Sequence, residues 1–538
     1  MRPLLLALVL ACHSNDPLPD DTSAPLGCEG DDGDSVSMVV APYLQSVSAT
    51  EAWVLWETDT GDGSRVDFGD TLERFACGAL VPVTPGTDAA ATDGRVHEVH
   101  LTGLEPGTTY SYRVRTGATS SEPLALHTPT TDPEAPVRLV AVGDTQRDSH
   151  RPDTWREIAQ DGIMAYLSAN HPGELAESLD GVLVTGDLVQ SGWQREQWRD
   201  DFFPGSAPLF GRVPAYPILG NHDGSSPMYF QRFHLPQSGL DERYYWFDRS
   251  NLRIIGLDSN PPFADDAQLA WLETTLDDAC ANDAIDFVIL QLHHPFLSEL
   301  WPHGESAWTG KVIERLDSFA NRCGKPAVHL YGHTHGYSRG ASIDAPHLWV
   351  NVSTGGGAID AWGDPDQRDY AQVAVTQATW GFVLLESQAG DAPTLHILRI
   401  SRGDSANPED NAVTDSVTLR RYNTQPATPT LTPPEPCAEP RLTASPFVDP
   451  DGQSHAATQW QAAATCDDFS APVIERLRQD RNEWGGQDLQ AGDDLTDEVF
   501  SELTPSATLC WRLRYRDASL AWSDWSTPLL VPVAACAR

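Results

Sequence analysis

Five short apolar runs, each ending in glycine or in polar residues of metal-ligating type, constrain this chain more than any other feature. Residues 137–142 lead into Gly143-Asp144-Thr145-Gln146, residues 182–184 into Thr185-Gly186-Asp187, and residues 216–219 into Gly220-Asn221-His222-Asp223. Residues 287–292 lead into His293-His294-Pro295, and residues 327–331 into Gly332-His333-Thr334-His335. Each run is too short for a typical helix and too continuous for a strand with one wet face. Such runs are the mark of strands buried on both faces in a layered α/β fold. Helix-like stretches, 153–169 and 265–279, separate some of them. Ligand sites in these folds gather at the carboxyl ends of the strands. Two aspartates, one asparagine and several histidines are therefore expected at one sheet edge. Gly332 is expected to provide the tight turn that precedes His333.

The five blocks, in this order, resemble the signature of the calcineurin-like metallophosphoesterases. That resemblance implies a dinuclear centre in which Asp187 bridges two ions. One ion would be held by Asp144, Asp187 and His335, and the other by Asp187, Asn221, His293 and His333. Carboxylate and imidazole ligands suit Mn, Fe or Zn. Two such ions clamp an in-line displacement at phosphorus and acidify the attacking water. His222 would contact the phosphoryl oxygen or protonate the leaving group, so His222 and Asp187 are the catalytic candidates. Two positions depart from the family pattern. Gln146 stands where a ligand histidine is common, and its amide oxygen would coordinate weakly or orient a water. Gln190 stands where purple acid phosphatases carry a tyrosinate, which argues against a ferric–tyrosinate colour centre.

Around the blocks, His294 and His329 read as supporting or core residues. Arg147 and His150 read as phosphate contacts, and Trp301 and His303 as pocket lining. Ser353-Thr354-Gly355-Gly356-Gly357 reads as backbone close to the ions or as a plain turn.

The whole chain reads as multidomain: an N-terminal β-sandwich, a central α/β metallophosphoesterase domain and a C-terminal β-sandwich. The central domain is expected to be a layered β-sandwich flanked by helices. Residues 36–131 alternate apolar and polar, and Glu105-Pro106-Gly107 feeds a strand carrying Tyr110 and Tyr112. This stretch is similar to the tyrosine-corner region of fibronectin type III sandwiches. Together with Ala41-Pro42-Tyr43-Leu44-Gln45 it resembles the small domain preceding the catalytic domain of purple acid phosphatases. His97, His100 and Trp53 read as strand and core residues. The phosphoesterase domain is expected over 136–422, a Pro/Thr linker over 423–436 and a fibronectin III-like module over 437–538. In that module Arg512, Arg514 and Arg516 alternate along one strand. Trp522-Ser523-Asp524-Trp525-Ser526 resembles the box whose tryptophans interleave with arginines in a cation–π ladder.

A net charge of -42, from 35 basic and 77 acidic residues, excludes nucleic-acid binding through phosphate contacts. Residues 1–12 read as a short signal peptide ending in a lipobox, Val9-Leu10-Ala11-Cys12, with 13–35 a flexible tether. Cys12 would then carry a lipid anchor at the periplasm, outer membrane or cell surface; the alternative is a secreted protein. Nine cysteines leave eight once Cys12 is set aside. They fall as Cys28 and Cys77, Cys280 and Cys323, and a group of four, Cys437, Cys466, Cys510 and Cys536, as disulfides of an oxidising compartment would. The expected reaction is hydrolysis of a small phosphomonoester by metal-activated water. A phosphodiesterase or nucleotidase with the same centre, and a decayed binding protein on the same scaffold, are the alternatives.

Overall fold

A computed structural model describes Cys28 and residues 35–82, 95–432, 441–500 and 508–532. The expected signal peptide and lipobox at 1–12, the tether except for Cys28 and Ser35, residues 433–436 of the expected linker, Cys437 and Cys536 lie outside the described residues.

Two mixed sheets packed face to face form the centre of the molecule. The first has six strands in the order 215–217, 181–184, 137–142, 380–388, 394–403, 408–420. The second has nine, in the order 245–249, 252–256, 287–291, 327–331, 347–353, 336–341, 373–377, 483–484, 487–488. The expected block strands all form, and their pairings are parallel: 137–142 with 181–184 with 215–217, and 252–256 with 287–291 with 327–331 with 347–353. Alternation along the second sheet explains the unbroken apolar runs. Ile254, Ile289, Val328, Leu330 and Val350 belong to the core between the sheets. Their neighbours Ile255, Val288, Leu290, Ala327 and Trp349 belong to a second core shared with two helices, Asp266–Ala281 and Ala307–Cys323. Both faces are dry, so both parities of the strand are apolar. Asp265 caps the first helix, its carboxylate accepting the Gln268 N–H at 2.9 Å. The Cys280–Cys323 disulfide joins the ends of the two helices. The stretch expected as a helix over 153–169 is helical from Thr154 to Asn170, with widened π-turns over Glu157–Met164.

Residues 38–127 form two antiparallel sheets around Trp56, Val66, Val99, Tyr112 and Leu126. The Tyr110 hydroxyl accepts the Glu105 N–H at 2.8 Å, closing the turn that Pro106-Gly107 begins. His97 is buried between the Thr58 and Ser64 hydroxyls, and Trp53 stacks on His100 and His234, so all three act as strand and core residues. This domain is anchored to the centre through Glu57, which accepts from Arg199 and from the buried Arg232. The Cys28–Cys77 disulfide belongs to it as well.

Residues 431–532 add a three-stranded and a four-stranded antiparallel sheet around Trp460, Phe500, Trp511 and Tyr515. The arginine–tryptophan ladder is formed: Arg512 lies 4.0 Å from the Trp525 ring, and Arg514 lies 4.4 Å from Trp522 and 4.6 Å from Trp525. Ser523 and Ser526 donate their N–H groups to Tyr515 and Leu513, which zips this segment onto the strand edge. Cys466 pairs with Cys510.

Specific contacts tie this end of the chain to the centre of the molecule. Residues 423–432 do not form a free spacer. Asn423 bonds Asp517, the Thr424 N–H bonds Asp451 and the Ala427 N–H bonds the Val448 carbonyl. Proline and threonine favour extended backbone, but an extended segment also presents groups that a neighbouring module can pair. Nor does the module stand apart, because Glu483–Trp484 extends the nine-stranded sheet beside Val373–Gln377. Buried Asp415 accepts from Tyr337, Arg339 and Arg481, binding both sheets and the module together.

Candidate metal centre

The strand ends converge as the parallel pairings require. Asp187 Oδ2 stands 3.2 Å from His293 Nε2, which is 3.0 Å from Asn221 Oδ1. Ligand atoms of Asp187, His293 and His333 all lie within 4.8 Å of one another. Beside them Asp144 Oδ1 lies 3.3 Å from His335 Nε2, which is 3.2 Å from the Gln146 amide nitrogen. Seven side chains expected from the sequence thus meet in one place, as a group around Asp187 and a group around Asp144.

Backbone geometry holds them there. Asp144, Asp187 and His333 have φ of 55°, 52° and 72°, a left-handed conformation costing roughly 1–3 kcal/mol each. Hydrogen bonds sustain it: the His333 N–H donates to both Asp144 oxygens at 3.1 Å, and the His222 N–H donates to Asp187 Oδ1 at 2.8 Å. The tight turn expected at Gly332 therefore falls on His333. Gly332 is required for space instead, since a Cβ there would stand 2.5 Å from Asp144 Oδ2. A Cβ at Gly220 would stand 2.1 Å from Asp187 Oδ1, and one at Gly357 2.5 Å from His335 Cε1. The Ser353–Gly357 run is accordingly close backbone, with the Gly357 N–H bonded to the Asp144 carbonyl at 2.9 Å.

The imidazoles are oriented from behind. His293 Nδ1 donates to the Thr185 carbonyl and His335 Nδ1 to the Ala358 carbonyl, at 2.8 and 2.7 Å, which turns each Nε2 toward an aspartate. Burial opposes charge on both rings, yet Asp187 pushes His293 up to about 9 and Asp144 pushes His335 up to about 9. Burial lowers His333 to about 3, with the neighbouring His293 and His294 adding to the effect. The buried Gln146 Oε1 has no hydrogen-bond partner. Paired buried carboxylates, inward imidazole nitrogens and an orphaned amide oxygen form a donor set that fits cations.

His222 lies at the rim, about one-third exposed, with Nε2 3.9 Å from Asp187 Oδ2. Its Nδ1 is 2.8 Å from the Gln190 carbonyl and 3.1 Å from the Gln190 amide, so the residue standing at the tyrosinate position faces a histidine. His294 bonds Ser259 at 2.8 Å, and His329 belongs to a buried chain through His347 to Asp317. Both are supporting residues. Arg147 and His150 do not join the cluster. They stand 3.5 and 3.4 Å from Asp201 and Asp148, partly buried carboxylates that are the nearer attraction. Trp301 lies against His333, with ring centroids 5.1 Å apart, while the exposed His303 lies 3.2 Å from Asp366.

Sequence reasoning assigned no role to two further residues. Asp223 staples two turns, accepting the Leu188 and Gly220 N–H groups at 3.0 Å each, and burial pushes it up to about 7. Its signal was its place in the Gly-Asn-His-Asp block. Asp360 accepts the His335 N–H at 2.8 Å from a loop whose sequence carries no such signal.

Residues 137–337 match the family model described as calcineurin-like phosphoesterase, and residues 40–128 the one described as purple acid phosphatase, N-terminal domain. The chain thus carries a calcineurin-like phosphoesterase domain behind a purple acid phosphatase N-terminal domain, a fold that implies a dinuclear metal centre. Among individual relatives, it is 25% identical over 285 residues to the uncharacterized protein Rv2577 of Mycobacterium tuberculosis, covering 47% of this chain and 53% of that one. It is 25% identical over 260 residues to purple acid phosphatase 22 of Arabidopsis thaliana, covering 46% and 54%. The chain spans about half the length of the curated relatives it matches. In fold it is similar to the purple acid phosphatase PPD1 of yellow lupin, with a TM-score of 0.55 and 18% identity over 70% of this chain and 74% of that one.

Proposed function

We propose that the protein is a metal-dependent phosphoesterase that hydrolyses small phosphomonoesters. The observation that carries this reading is the convergence of Asp187 with His293, Asn221 and His333 on one side and of Asp144 with His335 on the other. Asp187, Asn221, His293 and His333 would hold one ion; Asp144, Asp187 and His335 would hold the second, with Gln146 a weaker ligand. When bound, Mn, Fe or Zn ions supply charge for the phosphoryl oxygens and an acidified water.

The remaining work belongs to side chains. The Gln190 carbonyl fixes the His222 Nδ1–H, which leaves Nε2 pointing to the rim. From there a protonated His222 delivers its proton to the departing alkoxide oxygen. Asp223 and the Thr185 carbonyl hold the turns and the His293 ring, so the ligands need not reorganise during reaction. Gln190 provides no phenolate, so an iron-loaded protein would lack a tyrosinate absorption band.

The described disulfides belong to an oxidising compartment. With the lipobox at Cys12 they support an exported, lipid-anchored protein taking small phosphorylated substrates. Among the described residues no helix is long and apolar enough to cross a membrane. The C-terminal module reads as a fibronectin III-like sandwich stiffened by its arginine–tryptophan ladder.

The test is bound metal per chain together with hydrolysis of p-nitrophenyl phosphate and bis-p-nitrophenyl phosphate, beside Asp187→Asn. Two ions per chain, faster monoester cleavage and loss of both ions and activity in Asp187→Asn are expected. Faster diester cleavage would replace the monoesterase reading. A folded protein that binds no metal and cleaves neither ester would overturn the enzyme reading.

A further inference from the structure

All 17 tryptophans of the chain lie within the described residues, and only two are exposed: Trp193 at 59% and Trp301 at 36%. Both stand on loops at the metal centre, on different sides of it. A large exposed indole is costly in water, and finding both exposed tryptophans beside the metal centre marks a contact surface there.

Trp301 lies on the His333 side. Its N–H bonds Ser298 Oγ, its carbonyl accepts the Gly304 N–H, and the Gln367 amide holds the preceding Leu300 carbonyl at 2.8 Å. Gly304 lets the ring lie against His333, because a Cβ there would be 2.8 Å from Trp301 Cε3 and 2.9 Å from His333 Cδ2. Trp193 lies on the His222 side. The Gly192 N–H beside it donates to the His222 carbonyl at 2.9 Å, and the Gly192 carbonyl accepts from Trp198 and Ser226. Trp193 Nε1 lies 3.7 Å from where a Gly224 Cβ would stand, over the turn that carries Asn221 and His222. Both rings are therefore fixed on braced loops, open to solvent on at least part of their surface.

We propose that Trp193 and Trp301 are the walls of a leaving-group subsite, and that the favoured esters carry a planar aromatic ring on the alcohol. This rests on the phosphoesterase reading: with the phosphoryl group over Asp187, the alcohol leaves past His222 and between these rings. An indole face attracts a planar ring by stacking and discriminates it from a short alkyl chain by about tenfold. Both are positioning residues, since neither touches the bond that breaks.

The test is calorimetric affinity of the full-length, Mn-loaded protein for uncleavable phosphonates: 2-phenylethyl-, 2-cyclohexylethyl-, 2-aminoethyl- and ethylphosphonate. The phenyl compound should bind about tenfold tighter than the ethyl one and clearly tighter than the cyclohexyl one. Trp193→Leu with Trp301→Leu should bring the phenyl-to-ethyl ratio to within about twofold of unity, whereas Trp→Phe at either position should keep most of it. Metal content and circular dichroism of each variant report that the fold is intact. Equal affinities in the wild type, a ratio that survives in the double variant, or stronger binding of the cyclohexyl or amino compound would overturn the proposal. If no phosphonate binds metal-loaded protein, the phosphoesterase reading falls with it; binding without ring preference sinks only the subsite.

Discussion

Replacing Asp415 by alanine should destabilise this protein more than its distance from the centre suggests. The carboxylate is buried and accepts the Tyr337 hydroxyl at 2.7 Å, Arg339 at 2.6 and 3.1 Å, and Arg481 at 3.3 Å. Burial alone would raise its pKa, but Arg339, Tyr337 and Arg481 overcome that and hold it below the usual carboxylate range. Arg339 is only 16% exposed, so Asp415→Ala leaves a buried guanidinium without its counter-charge. Breaking one side of such a pair costs about 3–5 kcal/mol. Arg481 is 31% exposed, and Arg481→Ala should cost about 1 kcal/mol or less. Urea unfolding followed by tryptophan fluorescence at pH 7 reads both, with an unchanged slope and a shifted midpoint. A carboxylate held below its unfolded value stabilises the fold above about pH 4 and loses that contribution as pH falls. The gap between wild type and Asp415→Ala should therefore narrow in acid. If Asp415→Ala costs no more than Arg481→Ala, or the gap is the same at pH 3 as at pH 7, the charge argument is wrong.

Three further outcomes follow from single contacts. Glu299 is buried and pushed up to about 8, against the opposing pull of the Tyr370 N–H and Thr376 hydroxyl, so it folds as the acid. Stability it contributes is complete below about pH 4.5 and lost as pH rises from there through about 8; Glu299→Gln should leave the urea midpoint unchanged at about pH 4 and raise stability at about pH 9 by on the order of 2–4 kcal/mol. Gly332→Ala would drive a methyl to within 2.5 Å of Asp144 Oδ2, and should abolish hydrolysis while far-UV circular dichroism is retained. Gln146→His gives the Asp144 group an imidazole, and should slow loss of the second ion to a chelator by about tenfold or more, read by metal analysis over time.

Much of the centre was legible in the chain itself. A strand buried on both faces must be apolar at every position, so the first polar residues after it mark where the sheet ends. Parallel pairing then brings those ends to one edge, which is why position in sequence places two aspartates, an asparagine and several histidines together, while the family resemblance singled out Asp144, Asp187, Asn221, His293, His333 and His335 among them. The same logic cannot see partners that arrive from elsewhere. Asp360 reaches His335 from a loop, and Glu483 joins Val375 across 108 residues of separation, through contacts that leave no periodicity.

Residue type was also read more safely than residue conformation. Gly332 was expected for its freedom of φ, yet the left-handed turn is made by His333, and the glycine is there because Asp144 fills the space a side chain would need. Gln190 could be recognised as a departure, but only the folded chain turns it onto His222. Trp301 could be read as pocket lining from its place after the fourth block, but no pattern of letters sets Trp193 apart from the other tryptophans. Local sequence determines which segments become strands and which residues follow them, because burial and backbone preference act within a few residues. The pairing of loops, the support behind each ligand and the exposure of each ring depend on distant atoms meeting, and the tertiary structure decided those.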